Sequence, residues 1–357
     1  MRGSWLGILA VVLSPAVGLA GQAPDDPRIR ALGFGDFNYL VTELDRSDRK
    51  GGFRMGQMVG HVIADLDERF TFFGEVSLTA KDDKYSIEVE RANVRFDFAD
   101  EFKISAGRFH TPVGYWNTAF HHGSWLQTSV ARPEMIKFGS RFMPTHFVGL
   151  IAEGGLPTSS LGLGYSVGIG NGRASNIARA GDAGDVNDRR AWVARVRSRP
   201  ISIVGLEVGA TFYSDRLLAP DLSRANERIY VVHVALDRDA PEILAEYAHV
   251  THDPATGSGD FPGSNAYYIQ FGYRFEYRLR GSAISLKPYI RVEQVVIPID
   301  AYVLGPLGLN YDGIVVGVRY DPGVFLALRL EYRYEQFEGL ETTNSLYAQA
   351  SFVLSGS

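Results

Sequence analysis

The chain has 357 residues, 36 Lys and Arg against 41 Asp and Glu, a formal net charge of −5 and no cysteine. The acidic balance argues against a nucleic-acid partner. The missing cysteines exclude a disulfide framework, a thiol nucleophile and a thiolate metal site.

At the N-terminus Arg2 precedes a short apolar run from Leu6 to Leu13, with small residues at Gly18 and Ala20. That order reads as a cleaved export signal over 1–20, cut after Ala20 or, as the alternative, after Ala23. The run is too short for a membrane helix, which needs roughly 20 apolar residues. Residues 21–30 are expected to be a periplasmic lead-in. Downstream, no stretch is long and apolar enough to span a bilayer as a helix. Hydropathy near zero also suits a transmembrane barrel, whose lumen-facing polar residues alternate with lipid-facing apolar ones.

Period-two alternation then repeats along the chain. Strands are predicted near 31–41, 52–66, 69–81, 86–98, 102–109, 145–154, 160–170, 189–199, 205–214, 227–237, 241–251, 265–277, 284–296, 312–321, 324–337 and 344–354. Successive side chains of a strand point to opposite faces. In 324–337 Leu326, Leu328, Leu330, Tyr332 and Tyr334 share one face, against Ala327, Arg329, Glu331, Arg333 and Glu335. The same split places Arg274 and Arg278 opposite Phe271, Tyr273 and Phe275. It sets Lys287, Arg291 and Glu293 against Leu286, Ile290 and Val292, and Arg195 and Arg197 against Ala194 and Val196. A soluble sandwich would bury the apolar face under a second sheet; a membrane barrel turns it to lipid.

The connections favour the barrel. Tight turns at Asp67-Glu68, Gly281-Ser282 and Pro322-Gly323 alternate with long polar segments such as Asn171–Asp188 and Thr251–Ser264. Short periplasmic turns alternating with longer extracellular loops are what a barrel requires. The predicted fold is all-β: an antiparallel transmembrane β-barrel of about 16 strands over 31–354, an even count as bacterial barrels need.

One interruption, 110–144, is too long and too aromatic for a surface loop. It carries Tyr115, Trp116, Phe120, Trp125, Phe138 and Phe142. Long loops without secondary structure are uncommon and usually functional. Burial for these rings is available inside the barrel, so the segment is predicted to fold inward as a constriction. His121, His122, Arg132, Glu134, Lys137 and Arg141 are its candidate pore-facing residues.

From Glu88 through Glu153 the segments VERANVRFDF, KISAGRFHTPVGYWNTAFHHGSWLQT, RPEM and HFVGL resemble the phosphate-selective porin O and P-like family. The resemblance implies a sixteen-stranded barrel, a homotrimer, and the third extracellular loop as the constriction. It also implies an outer-membrane location, contact with lipid and lipopolysaccharide, and passage of small hydrophilic solutes or phosphate-like anions. The sequence departs from that family's dense basic lining. The candidate lining Arg195, Arg197, Arg274, Arg278, Lys287, Arg291, Arg329 and Arg333 is interspersed with acids, Glu331 and Glu335 among them. A ring of basic side chains favours anions, so a mixed ring points to weak anion preference.

Other chemistry is thinly supported. His121 and His122 are adjacent and cannot readily hold one ion with both rings, and no His-Glu-x-x-His spacing is present. The acidic loops at Asp182, Asp185 and Asp188 and at Asp253 and Asp260 match no calcium-loop spacing. No metal and no cofactor are expected. Ser124 beside His121 and His122 is the only local nucleophile-base pair and lacks a nucleophile elbow, so no enzyme activity is expected. The alternative to a diffusion porin is a structural or adhesive barrel with a plugged lumen.

Overall fold

The computed structural model describes residues 28–43, 51–81, 83–120, 123–156, 160–187, 189–218, 223–256, 259–279, 282–308 and 310–356. The export signal and most of the lead-in lie outside them, as do His121 and His122. The strands are β1 (Arg28–Thr42), β2 (Gly52–Asp65), β3 (Phe70–Ala80), β4 (Tyr85–Ala99), β5 (Phe102–His110) and β6 (His146–Gly155). They continue with β7 (Leu163–Asn171), β8 (Ala191–Ser198), β9 (Leu206–Leu218), β10 (Arg224–Leu236), β11 (Glu242–Pro254) and β12 (Ser264–Gly272). The last five are β13 (Phe275–Leu279), β14 (Ser282–Val296), β15 (Tyr311–Gly323), β16 (Leu326–Phe337) and β17 (Thr343–Gly356). Apart from β12 and β13, which do not pair with each other, each pairs antiparallel with its chain neighbours, and β1 pairs with β17, so the sheet closes on itself.

β12 and β13 are two halves of one stave, since both pair with β14. The barrel therefore has 16 staves. The sequence reads that stave as one strand over 265–277. Its ladder breaks at Tyr273 and Arg274, opposite Pro288, which has no N–H to donate. The first strand begins at Arg28, ahead of the residue 31 read from alternation. Connections of 66–69, 100–101 and 324–325 gather at one rim, and 111–145, 172–190 and 297–310 at the other.

The two faces are inverted relative to a soluble protein. On β16 Leu328, Leu330, Tyr332 and Tyr334 are exposed on the outside. Arg329, Glu331, Arg333 and Glu335 are buried on the inside. Exposed aliphatics and buried charges on one strand fit lipid outside and a polar lumen inside. Phe70, Phe96, Phe98 and Phe102 touch in series on the outer face toward the short-turn rim, with ring centroids 4.4 to 5.3 Å apart. Phe37, Tyr39 and Phe53 cluster toward the other rim, as expected of aromatic girdles.

An apolar cluster lies within the barrel. Ile229, Val231, Ala248, Val250, Ala266 and Val295 of the inner wall pack with Val113, Trp116, Met135, Ile136, Phe142 and Met143 of the long segment.

Candidate constriction and lumen

The segment 111–145 enters the lumen through a stapled neck. Thr111 N–H donates to Thr145 O at 3.0 Å. Inside the neck Asn117, 1 % exposed, donates from Nδ2 to Thr111 O at 2.8 Å and Thr145 O at 3.0 Å. Arg132 Nη2 donates to Asn117 Oδ1 at 3.2 Å, tying the returning limb to the same amide. A single turn of helix, α1 (Trp116–Ala119), follows the neck.

A buried irregular segment leaves backbone groups that no ladder satisfies, and each unmade bond costs about 1–3 kcal/mol. Charged wall side chains supply the partners. Glu246 on β11 accepts the Tyr115 and Trp116 N–H groups at 2.7 Å each, and the Tyr268 hydroxyl at 2.6 Å. Glu331 on β16 accepts Val130 N–H at 2.7 Å and the Tyr289 hydroxyl at 2.8 Å. Glu293 on β14 accepts Glu134 N–H at 2.6 Å.

Arginines hold the carbonyls. Arg291 donates to Ala131 O at 2.9 Å and Arg132 O at 3.3 Å. Arg319 donates to Trp125 O and Gln127 O, both at 2.9 Å. Arg329 donates to Thr128 O at 2.9 Å, Ser124 O at 2.7 Å and Gln127 O at 2.5 Å. Arg173, on the 172–190 connection, donates to Arg141 O at 2.7 Å and Phe142 O at 3.0 Å. The alternating charges of the inner wall thus act largely as a cradle for the segment.

Gly114 shows how tight the cradle is. Its φ is +69°, and a Cβ there would lie 2.0 Å from Glu246 Oε2. Glycine meets both the left-handed backbone and the close approach.

The other candidate residues fall into place individually. Lys137 pairs with Glu134, and the Arg132 guanidinium lies 4.3 Å from the Phe138 ring centroid. Burial raises the Glu134 carboxyl above the ordinary value, and Lys137 offsets part of the rise. Burial pulls the Arg132 guanidinium down, with Glu90 and Glu246 pushing it back part of the way. Burial also raises the Tyr115 phenol, helped by Asp237, which accepts its hydroxyl hydrogen bond at 2.9 Å. Arg141 is exposed. Arg333 pairs with Glu331 at 2.6 Å and lies 3.9 Å from the Tyr347 ring centroid, and Glu335 accepts the Tyr311 hydroxyl at 3.3 Å. Lys287 pairs with Glu242 at 2.8 Å. Arg274 pairs with Asp239 at 2.9 Å and Asp321 at 2.6 Å, bracing the short-turn rim. The Arg278 side chain lies outside those described.

His110 and His146 stand out in the sequence as histidines expected to hydrogen-bond to the barrel wall, but sequence reading did not group them with the carboxylates of a second cluster on the wall of β2 to β6. Glu75 faces His61 at 3.1 Å, His110 at 3.5 Å and Arg91. Glu90 faces His146 at 2.8 Å. His110 and His146 flank the neck. Their inward phase and that of Glu75 and Glu90 are implicit in strand alternation, but which strands face one another across the staves is not.

Space remains on both sides of the segment. Toward the long-loop rim lies a cavity of about 1280 Å³ lined by Asp36, Arg54, Lys84, Lys137, Arg333 and Glu335, among others. Toward the short-turn rim lies one of about 570 Å³, whose lining includes Arg30, Arg91, Arg95, Arg195, Arg197 and Arg199. In the lining of the larger cavity the Gly123 backbone comes against Phe34 of β1, where a Cβ would lie 3.0 Å from the ring.

No family model matches the chain, and no curated protein is similar to it in sequence. Solved structures do match. The anion-selective porin from Comamonas acidovorans superposes with a TM-score of 0.63 at 10 % identity, covering 92 % of this chain and 100 % of that one. OmpF of Salmonella typhi, solved with daunomycin, gives 0.60 at 12 % identity, with 92 % and 97 % covered. OmpT of Vibrio cholerae in its trimer form gives 0.54 at 13 % identity, with 92 % and 100 % covered. At these identities the likeness is one of fold: the chain has the architecture of outer-membrane porins.

Proposed function

We propose that the chain is an outer-membrane porin, exported by a cleaved signal and passing small hydrophilic solutes by diffusion, with weak preference for anions. The observation that carries this is the pair of cavities bearing charged side chains, one on each side of a segment fixed inside a closed barrel with an apolar exterior. Lysines and arginines outnumber carboxylates in the lining of both cavities, and a basic lining favours anions. The short-turn rim is then periplasmic and the long-loop rim extracellular. A trimer agrees with the oligomeric form of the Vibrio cholerae OmpT structure. The phosphate-selective O and P type resemblance supports the third extracellular loop, 111–145, as the constriction, while the interspersed carboxylates argue against strict phosphate selectivity.

Planar-bilayer conductance of the refolded protein in a potassium chloride gradient tests the reading. Stepwise ohmic openings with a reversal potential toward chloride support it. Deleting Trp116 to Trp125 should enlarge the openings, and an unchanged conductance removes the constriction from the proposal.

A plugged structural or adhesive barrel is the second reading. The contact of Gly123 with Phe34 favours it, because the segment there reaches both walls. A folded barrel that stays silent in the bilayer would select it.

A further inference from the structure

We infer that the vestibule at the short-turn rim contains an oxyanion-binding subsite centred on the guanidinium of Arg197. This rests on the diffusion reading above and names the solute chemistry recognised at one end of the passage.

Arg195, Arg197 and Arg199 all line the 570 Å³ cavity. Arg195 and Arg199 share Glu207, at 2.6 and 2.5 Å, and His233 Nε2 lies 3.0 Å from the same carboxylate. That carboxylate is therefore already engaged. The Arg197 side chain makes no hydrogen bond or ion pair with any described residue, and it is half-buried. The charges that act on it are Arg199, Glu207, Arg195 and Glu153. The other arginines of this lining have partners: Arg30 has Asp65, Arg91 has Glu75 and Arg95 has Asp97.

The position of Arg197 is built by the wall. Its register partner on β7 is Gly164. A Cβ there would lie 3.1 Å from Arg197 Cζ and 3.2 Å from both Nε and Nη2. The guanidinium lies across the strand where glycine leaves room, and its rotamer freedom is reduced before any ligand arrives. Its planar fork of N–H donors fits two oxygens of a carboxylate or phosphate, a fit that chloride cannot reproduce. Partial burial strengthens the attraction relative to open water.

The test uses the refolded full-length barrel in a planar bilayer, with inorganic phosphate added to one chamber of potassium chloride. Phosphate should reduce the chloride current at lower concentration from the short-turn side than from the long-loop side. Arg197→Lys keeps the charge and loses the fork: ion preference should hold, and block should weaken about tenfold, the worth of one charge-assisted hydrogen bond. Gly164→Val should weaken block without removing any charge. Open channels whose phosphate block is unchanged in both variants would overturn the subsite while leaving the porin reading intact. A silent wild type would overturn the porin reading instead. Line broadening of the phosphate phosphorus resonance by detergent-folded wild type against Arg197→Ala then decides the subsite alone, and equal broadening refutes it.

Discussion

Glu246 Oε1 accepts the backbone N–H of Trp116 at 2.7 Å, so a carboxylate on β11 holds a residue 130 positions earlier in the chain. The same carboxylate takes Tyr115 N–H on its other oxygen. Trp116, fully buried, is fixed over it, with its ring edge-on to Tyr268 at 5.6 Å. This one group converts a strand charge into a seat for the 111–145 segment.

Glu246→Ala should therefore loosen the first limb. Two buried N–H donors lose their acceptor, at about 1–3 kcal/mol each. The expected outcome is a lower unfolding midpoint together with noisier, larger openings in the bilayer. A melting temperature and single-channel trace equal to wild type would show that the limb is held elsewhere.

Glu207→Gln should raise anion preference. The change leaves Arg195 and Arg199 without their shared countercharge, beside an already unpaired Arg197. Reversal potential in a salt gradient should move toward chloride. Because Arg195 is buried, stability should fall as well, by about 3–5 kcal/mol if the pair behaves as an ordinary buried one. Movement of the potential toward potassium would contradict the assignment of this vestibule.

Leu330 is 48 % exposed on the outer face of β16. Arginine there should cost about 2–4 kcal/mol if the position lies near the bilayer midplane. Thr71→Arg, on the cavity side of β3, should cost much less. Urea unfolding in lipid vesicles measures both. Equal costs would mean that the outer face does not meet lipid.

Burial raises Glu134 above the ordinary carboxyl value of 4.5. The folded chain then holds that proton more tightly than the unfolded chain. Its contribution to stability is greatest below 4.5 and declines as pH rises through the window up to the folded value. Glu134→Gln should remove that slope, so the difference in urea midpoint between variant and wild type should grow in favour of the variant with rising pH. A constant difference from about pH 4 to pH 7 would place the carboxyl in water.

Alternation together with the short and long rhythm of the connections determined the barrel. Leu328, Leu330 and Tyr332 against Arg329, Glu331 and Arg333 fix which face meets lipid, because the side-chain period of a strand is two and a slip by one residue inverts it. Loop lengths set the two rims, and the aromatic density of 110–144 marked the inward segment. The sequence did not reveal the break at Tyr273, since Pro288 acts from the neighbouring strand. Nor could it say what the inner charges do. Arg329 and Arg291 read as lining cations, yet they spend their donors on carbonyls of a segment some 160 to 205 residues away. Whether a charge faces solute or satisfies backbone depends on what closure of the sheet brings across the lumen. That is decided by stave order and register, which local periodicity does not encode. Arg197 stays unpaired for the same reason: Glu207 lies nearer to its two neighbours, and only the folded wall sets that geometry.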